Sequence, residues 1–129
     1  MAKRAAISRG ELEVARAVWE LGEASVGDVH SAIAARKGID YSTVQTYLRR
    51  LEAKGYLKTR RVGRNKIYRP RVGARQIIRE TIDDLLERLF DGEPLALWQH
   101  LIRDRGITRE ETEQLRQLLE QWEAERHEP

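Results

Sequence analysis

The chain has 129 residues, a formal net charge of +3 and no cysteine. That length fits one compact domain or two very small ones. The missing cysteine excludes disulfides and thiolate metal sites and suits a reducing, cytoplasmic setting. No apolar run approaches the roughly 20 residues that a membrane crossing needs, and Met1-Ala-Lys-Arg4 leads directly into charged, helix-patterned sequence, so a soluble chain without membrane insertion is expected.

Charge is unevenly placed along the chain. Residues 1–71 hold 16 Lys/Arg against 7 Asp/Glu, whereas residues 72–129 hold 8 against 14. A basic module for a polyanion followed by an acidic module with another task is the expectation, with domains at 1–72 and 73–129. Between Glu52 and Glu80 there is no acid at all, while ten Lys/Arg occur.

In chain order, Ser8-Arg-Gly-Glu11 has capping-box spacing and precedes Leu12, Ala15, Val18 and Trp19 at helical period, until Gly22. Ser25-Val-Gly-Asp28 opens a second helix with Val29, Ile33 and Ala34 on its apolar side, and Lys37-Gly38 stops it. A third helix, residues 42–54, has Val44, Leu48 and Leu51 at i, i+4 and i+7 with Tyr47 beside them. Residues 56–61 and 64–69 read as two strands around Val62-Gly-Arg-Asn65, a hairpin.

Pro70 and Gly73 precede a fourth helix over 74–90 with an Ile78, Ile82, Leu85, Leu86, Leu89 stripe. Asp91-Gly-Glu-Pro94 breaks it. A short helix over 95–104 and a last one capped by Thr108-Arg-Glu-Glu111 complete the chain.

Helix, helix, helix, strand, strand is the order of a winged helix-turn-helix, so the expected fold is mainly α: that unit followed by a helical dimerisation region. In such motifs the second helix of the pair enters the major groove of double-stranded DNA, here residues 42–54. Opposite its apolar side stand Ser42, Thr43, Gln45, Thr46, Arg49 and Arg50, with Lys54 at its end, all able to reach base edges or phosphates. The hairpin adds Arg60, Arg61, Arg64 and Lys66, with no acid near them in sequence. Tyr68 is read as a packing residue.

The acidic half has apolar stripes too wide for short helices to leave in water. Ile82, Leu85, Leu86, Leu89, Phe90, Trp98, Leu101, Leu115, Leu118, Leu119 and Trp122 are therefore expected to form a homodimer interface. A two-fold dimer sets two groove helices about one turn of DNA apart and reads an inverted repeat. The competing arrangement folds these helices back on the winged helix as one monomeric core.

No catalytic constellation appears. His30, His100 and His127 are far apart in sequence, and Asp83-Asp84 and Glu110-Glu111 are neighbours that point different ways on a helix, so no enzyme, cofactor or metal site is expected. Alternatives to a DNA-binding regulator are a winged-helix protein-interaction module and a regulator responsive to a small ligand.

The segment Tyr41-Ser-Thr-Val-Gln-Thr-Tyr-Leu-Arg-Arg-Leu-Glu-Ala-Lys-Gly55, with Leu12-Glu-Val-Ala-Arg-Ala-Val-Trp19 and the C-terminal helices, resembles the penicillinase repressor family, BlaI/MecI, over about residues 7–122. The resemblance implies a homodimeric transcriptional repressor on a palindromic operator, with Thr43, Thr46 and Arg50 at DNA-contacting positions and Gln45 and Arg49 at variable ones. Members of that family are released when a membrane-bound sensor-protease leads to their cleavage near an Asn-Phe pair, and the matching place here is Trp98-Gln99, which departs from that pattern. Related copper-responsive repressors carry a C-terminal cysteine cluster, which this chain lacks.

Overall fold

The computed structural model describes residues 4–127, with side chains for 4–126; Met1–Lys3 and the side chain of His127 lie outside the described residues. The elements run α1 (Arg9–Leu21), α2 (Val26–Ala34), α3 (Tyr41–Ala53), β1 (Leu57–Val62), β2 (Asn65–Pro70), α4 (Ala74–Leu89), α5 (Pro94–Gln99), a π-helical turn (His100–Gly106) and α6 (Arg109–His127). They form two compact units that divide between Thr81 and Ile82, inside α4. No helix among the described residues is long and apolar enough to cross a membrane.

In the first unit, local chemistry sets each helix start. Ser8 caps α1 and Glu11 reaches back to the Ser8 amide, and Ser25 with Asp28 does the same for α2. Gly22 ends α1 and Gly55 follows α3, both at positive φ where a side chain would be strained. Val14, Val18, Val29, Val44, Leu48, Leu51 and Leu57 are essentially fully buried. This is the meeting of the apolar faces of three helices with the hairpin, and burying such side chains is the main favourable term for the unit.

The hairpin is antiparallel, pairing Leu57 with Pro70 and Val62 with Asn65 across the two-residue turn Gly63-Arg64, with Gly63 at φ 63°. It sits one residue later than the expected 56–61 and 64–69. The cause is Tyr56, whose amide donates to Leu51 O at the end of α3, so that only its carbonyl, accepting from the Arg71 amide, joins the ladder and the strand proper begins at Leu57. Tyr68 is a packing residue, 1 % exposed, and its backbone makes an isolated bridge to Ala24. Close helix packing also needs Gly10, because a Cβ there would stand 2.8 Å from the Tyr47 ring.

Three further differences from the sequence expectation have local causes. The chain leaves α2 at Ala34, before Lys37-Gly38, because the Arg36 and Lys37 amides both turn back to Ile33 O; Ala34 is exposed. On α4, Ile77 and Leu86 are buried, while Ile78, Ile82, Leu85 and Leu89, at i, i+4, i+7 and i+11, are exposed. The expected helix over 95–104 begins at Pro94 as an α-helix but widens to π at His100 and continues to Gly106. An apolar pattern that short is compatible with either winding.

In the second unit Thr108 and Glu111 bond reciprocally and cap α6, and Phe90 tilts against His100 with ring centroids 6.2 Å apart. Apart from buried Leu86 and half-buried Phe90, Leu101 and Leu115, the proposed interface residues are exposed: Ile82, Leu85, Leu89, Trp98, Leu118, Leu119 and Trp122.

Candidate nucleic-acid interface

Helix α3 has two faces of opposite chemistry. Val44, Leu48 and Leu51 are fully buried, whereas Ser42, Thr46, Arg49 and Arg50 are exposed and Thr43 and Gln45 are half-buried. The Thr46 hydroxyl donates to Ser42 O at 3.0 Å, and its oxygen can still accept. Arg50 lies over the Tyr47 ring, 6.0 Å from its centroid, and Tyr47 itself leans on Gly10, so the guanidinium has an ordered aromatic support. The start of α3 is held by His30, whose Nε2 lies 3.0 Å from Ile39 O and whose ring meets Tyr41 edge-on.

The end of α3 is anchored differently from the sequence expectation. Lys54 donates to Glu11 Oε1 at 2.7 Å and to Ala6 O at 2.9 Å. Glu11 is 1 % exposed and its Oε1 also accepts from the Ser8 amide at 2.8 Å. Burial pushes the Glu11 carboxyl up, but the hydrogen bonds from Lys54 and Ser8 together with the Lys54 charge outweigh it and hold the carboxyl below its ordinary value. Beside this anchor, Tyr56 donates to Ala5 O at 2.5 Å, and Arg4 pairs with Glu80 and donates to Gly55 O.

The acid-free stretch of the sequence is not acid-free in space. Glu52, the last acid before it, takes Lys66 at 2.7 Å and the Thr59 hydroxyl at 2.7 Å, and Glu23 takes Arg60 at 2.8 Å. The Lys66 and Thr59 bonds hold the Glu52 carboxyl below its ordinary value, and the same pair holds Lys66 above its own. Lys66 also lies over the Tyr68 ring. The fold thus sorts the candidate cations. Lys54, Arg60 and Lys66 have carboxylate partners, whereas no ion pair among the described residues engages Arg49, Arg50, Arg61 or Arg64. Lys58, Arg69 and Arg71, which are not among the residues expected at the DNA, are exposed as well. Period-two alternation from the hairpin would have placed Lys58 and Arg69 together.

Comparison with known proteins agrees with this geometry. The penicillinase repressor family matches residues 7–121. The chain is 27 % identical over 121 residues to the penicillinase repressor of Bacillus licheniformis, covering 94 % of each. It is 31 % identical over 126 residues to the transcriptional regulator BlaI of Mycobacterium tuberculosis, covering 96 % of this chain and 90 % of that one. Among solved structures it is similar to the DNA-binding domain of the repressor BlaI, at 31 % identity and a TM-score of 0.52, over 57 % of this chain and 90 % of that domain. With three helices and a hairpin in winged-helix order, the chain belongs to the penicillinase repressor family of DNA-binding transcriptional repressors.

Proposed function

We propose that the protein acts in the cytoplasm as a homodimer on an inverted-repeat operator, with α3 in the major groove and the Gly63-Arg64 turn against the flanking backbone. The observation that carries this is the division of α3: a fully buried Val44, Leu48, Leu51 face and an outer face of Ser42, Thr46, Arg49 and Arg50 without carboxylate partners. Hydroxyl and guanidinium groups read base edges in the major groove, and Arg61 and Arg64 supply phosphate contacts. The exposed stripe of α4, together with Trp98, Leu118, Leu119 and Trp122, supports a second copy as the partner of the second unit.

The test is a salt titration of duplex binding with wild type and Arg50→Ala. Counterion release makes wild-type binding fall steeply with salt, and the variant loses about 1–3 kcal/mol on the operator while keeping its weaker affinity for unrelated duplex if Arg50 reads a base. Binding that ignores salt would favour a protein-interaction module, and an unchanged variant removes Arg50 from the interface.

A further inference from the structure

Successive residues of a strand point to opposite faces, so the hairpin has an inner and an outer side. The inner side holds buried Leu57 and Tyr68, and half-buried Thr59 and Lys66 reach Glu52 of α3 from it. On the outer side Lys58 stands directly opposite Arg69, with Arg60 opposite Ile67. Lys58 and Arg69 are both exposed, and Arg71 follows two residues on, also exposed.

Like charges directly across an antiparallel pair oppose folding, and no carboxylate among the described residues offsets this one. Glu52 is engaged by Lys66 and Thr59, and Glu23 by Arg60. Among the described residues no carboxylate pairs with Lys58, Arg69 or Arg71. A cation pair without a counterion inside the protein is free to meet an anion outside it. A polyanion with evenly spaced charges suits two cations fixed across a ladder, and the phosphodiester backbone of duplex DNA has that form.

Val62 at the turn is four residue steps from Lys58, so the pair sits about 13 Å from the tip at roughly 3.3 Å per residue. One long side chain cannot span that distance back to the phosphates met by the tip. We infer that the outer face of the hairpin, built on Lys58 and Arg69 with Arg71 beside them, is a second phosphate-contact surface that engages duplex flanking the stretch held by α3 and the tip. This rests on the DNA-binding reading above and extends its footprint.

The experiment compares wild type, the double variant Lys58→Ala/Arg69→Ala and the charge-keeping double variant Lys58→Arg/Arg69→Lys. Each is titrated with salt on a random-sequence duplex of about 40 base pairs and on one of about 14, little more than one helical turn. The alanine variant should flatten the log–log salt slope by about 1.8 on the long duplex, at about 0.9 per lost phosphate contact, and leave the short-duplex slope unchanged. The charge-keeping variant should match wild type on both. Thermal melts should show the alanine variant no less stable than wild type, since it relieves a repulsion. Equal flattening on both duplexes overturns the flanking surface and puts the pair within the primary contact. Unchanged slopes on both overturn any phosphate role and leave the face to an acidic protein partner. Wild type that binds neither duplex refutes the DNA-binding reading itself, an outcome distinct from these.

Discussion

The Lys54 ammonium lies 2.7 Å from the Glu11 carboxylate, joining the first turn of α1 to the residue that caps α3. Glu11 thereby closes the capping box of one helix and fixes the end of the groove helix. Ala5 and Ala6 add carbonyls that accept from Tyr56 and Lys54 on the same side. Lys54, a side chain expected at the DNA, thus also anchors the end of α3 inside the protein.

Lys54→Ala is expected to destabilise the protein by about 1–3 kcal/mol, because it leaves a buried carboxylate without its strongest donor. The pH dependence follows from the sign of the shift. In the fold Glu11 sits below its ordinary value of 4.5, so its contribution is fully present above the unfolded value and is lost as pH falls through the folded one. In Lys54→Ala, burial loses its main opponent, and the acid limb of the stability curve should become shallower. Urea unfolding of both proteins between about pH 3 and 7 measures this, and parallel curves would show that the pair does not hold the carboxyl down.

Glu52→Gln is expected to strengthen non-specific duplex binding. The substitution removes the carboxylate beside Lys66 while an amide can still accept from Thr59, so the Lys66 charge is no longer neutralised within the protein. The log–log salt slope should steepen by about 0.9 if Lys66 then meets a phosphate. Both partners of the pair are about a third exposed, so the stability cost should stay under about 1 kcal/mol. A slope equal to wild type would mean that Lys66 serves the hairpin alone.

Features written in adjacent residues were legible in the sequence. Ser8 to Glu11, Ser25 to Asp28 and Thr108 to Glu111 each close within three residues, and Val44, Leu48 and Leu51 repeat at helical period, so helix starts and the buried face of α3 could be read directly. The pairing of charges could not. Lys66 reaches Glu52 only because the hairpin returns the chain to α3, and Lys54 reaches Glu11 across two helices. A count of Lys and Arg along the chain therefore overstates the free charge at Lys54, Arg60 and Lys66 and does not single out Lys58 and Arg69, which keep theirs. On α4 a single residue leaves the expected stripe: Leu86 is buried while Ile78, Ile82, Leu85 and Leu89 are exposed, and packing alone distinguishes Leu86 from its neighbour Leu85.

That exposed stripe makes Leu89 the informative position for assembly. It is 70 % exposed, so Leu89→Asp takes nothing from the interior of its own unit, whereas a change at Leu86, 9 % exposed, would damage folding and association together. With the α4 stripe as the interface between two copies, an aspartate there buries a carboxylate in an apolar contact without a partner. Light scattering should therefore report a monomer for Leu89→Asp at concentrations where wild type is dimeric, with unchanged helical circular dichroism. Affinity for a duplex holding two half-sites should fall toward that for a single half-site, because the linked second attachment is lost. A variant that remained dimeric would move the interface off the α4 stripe, and a wild type that was already monomeric would remove the second copy altogether.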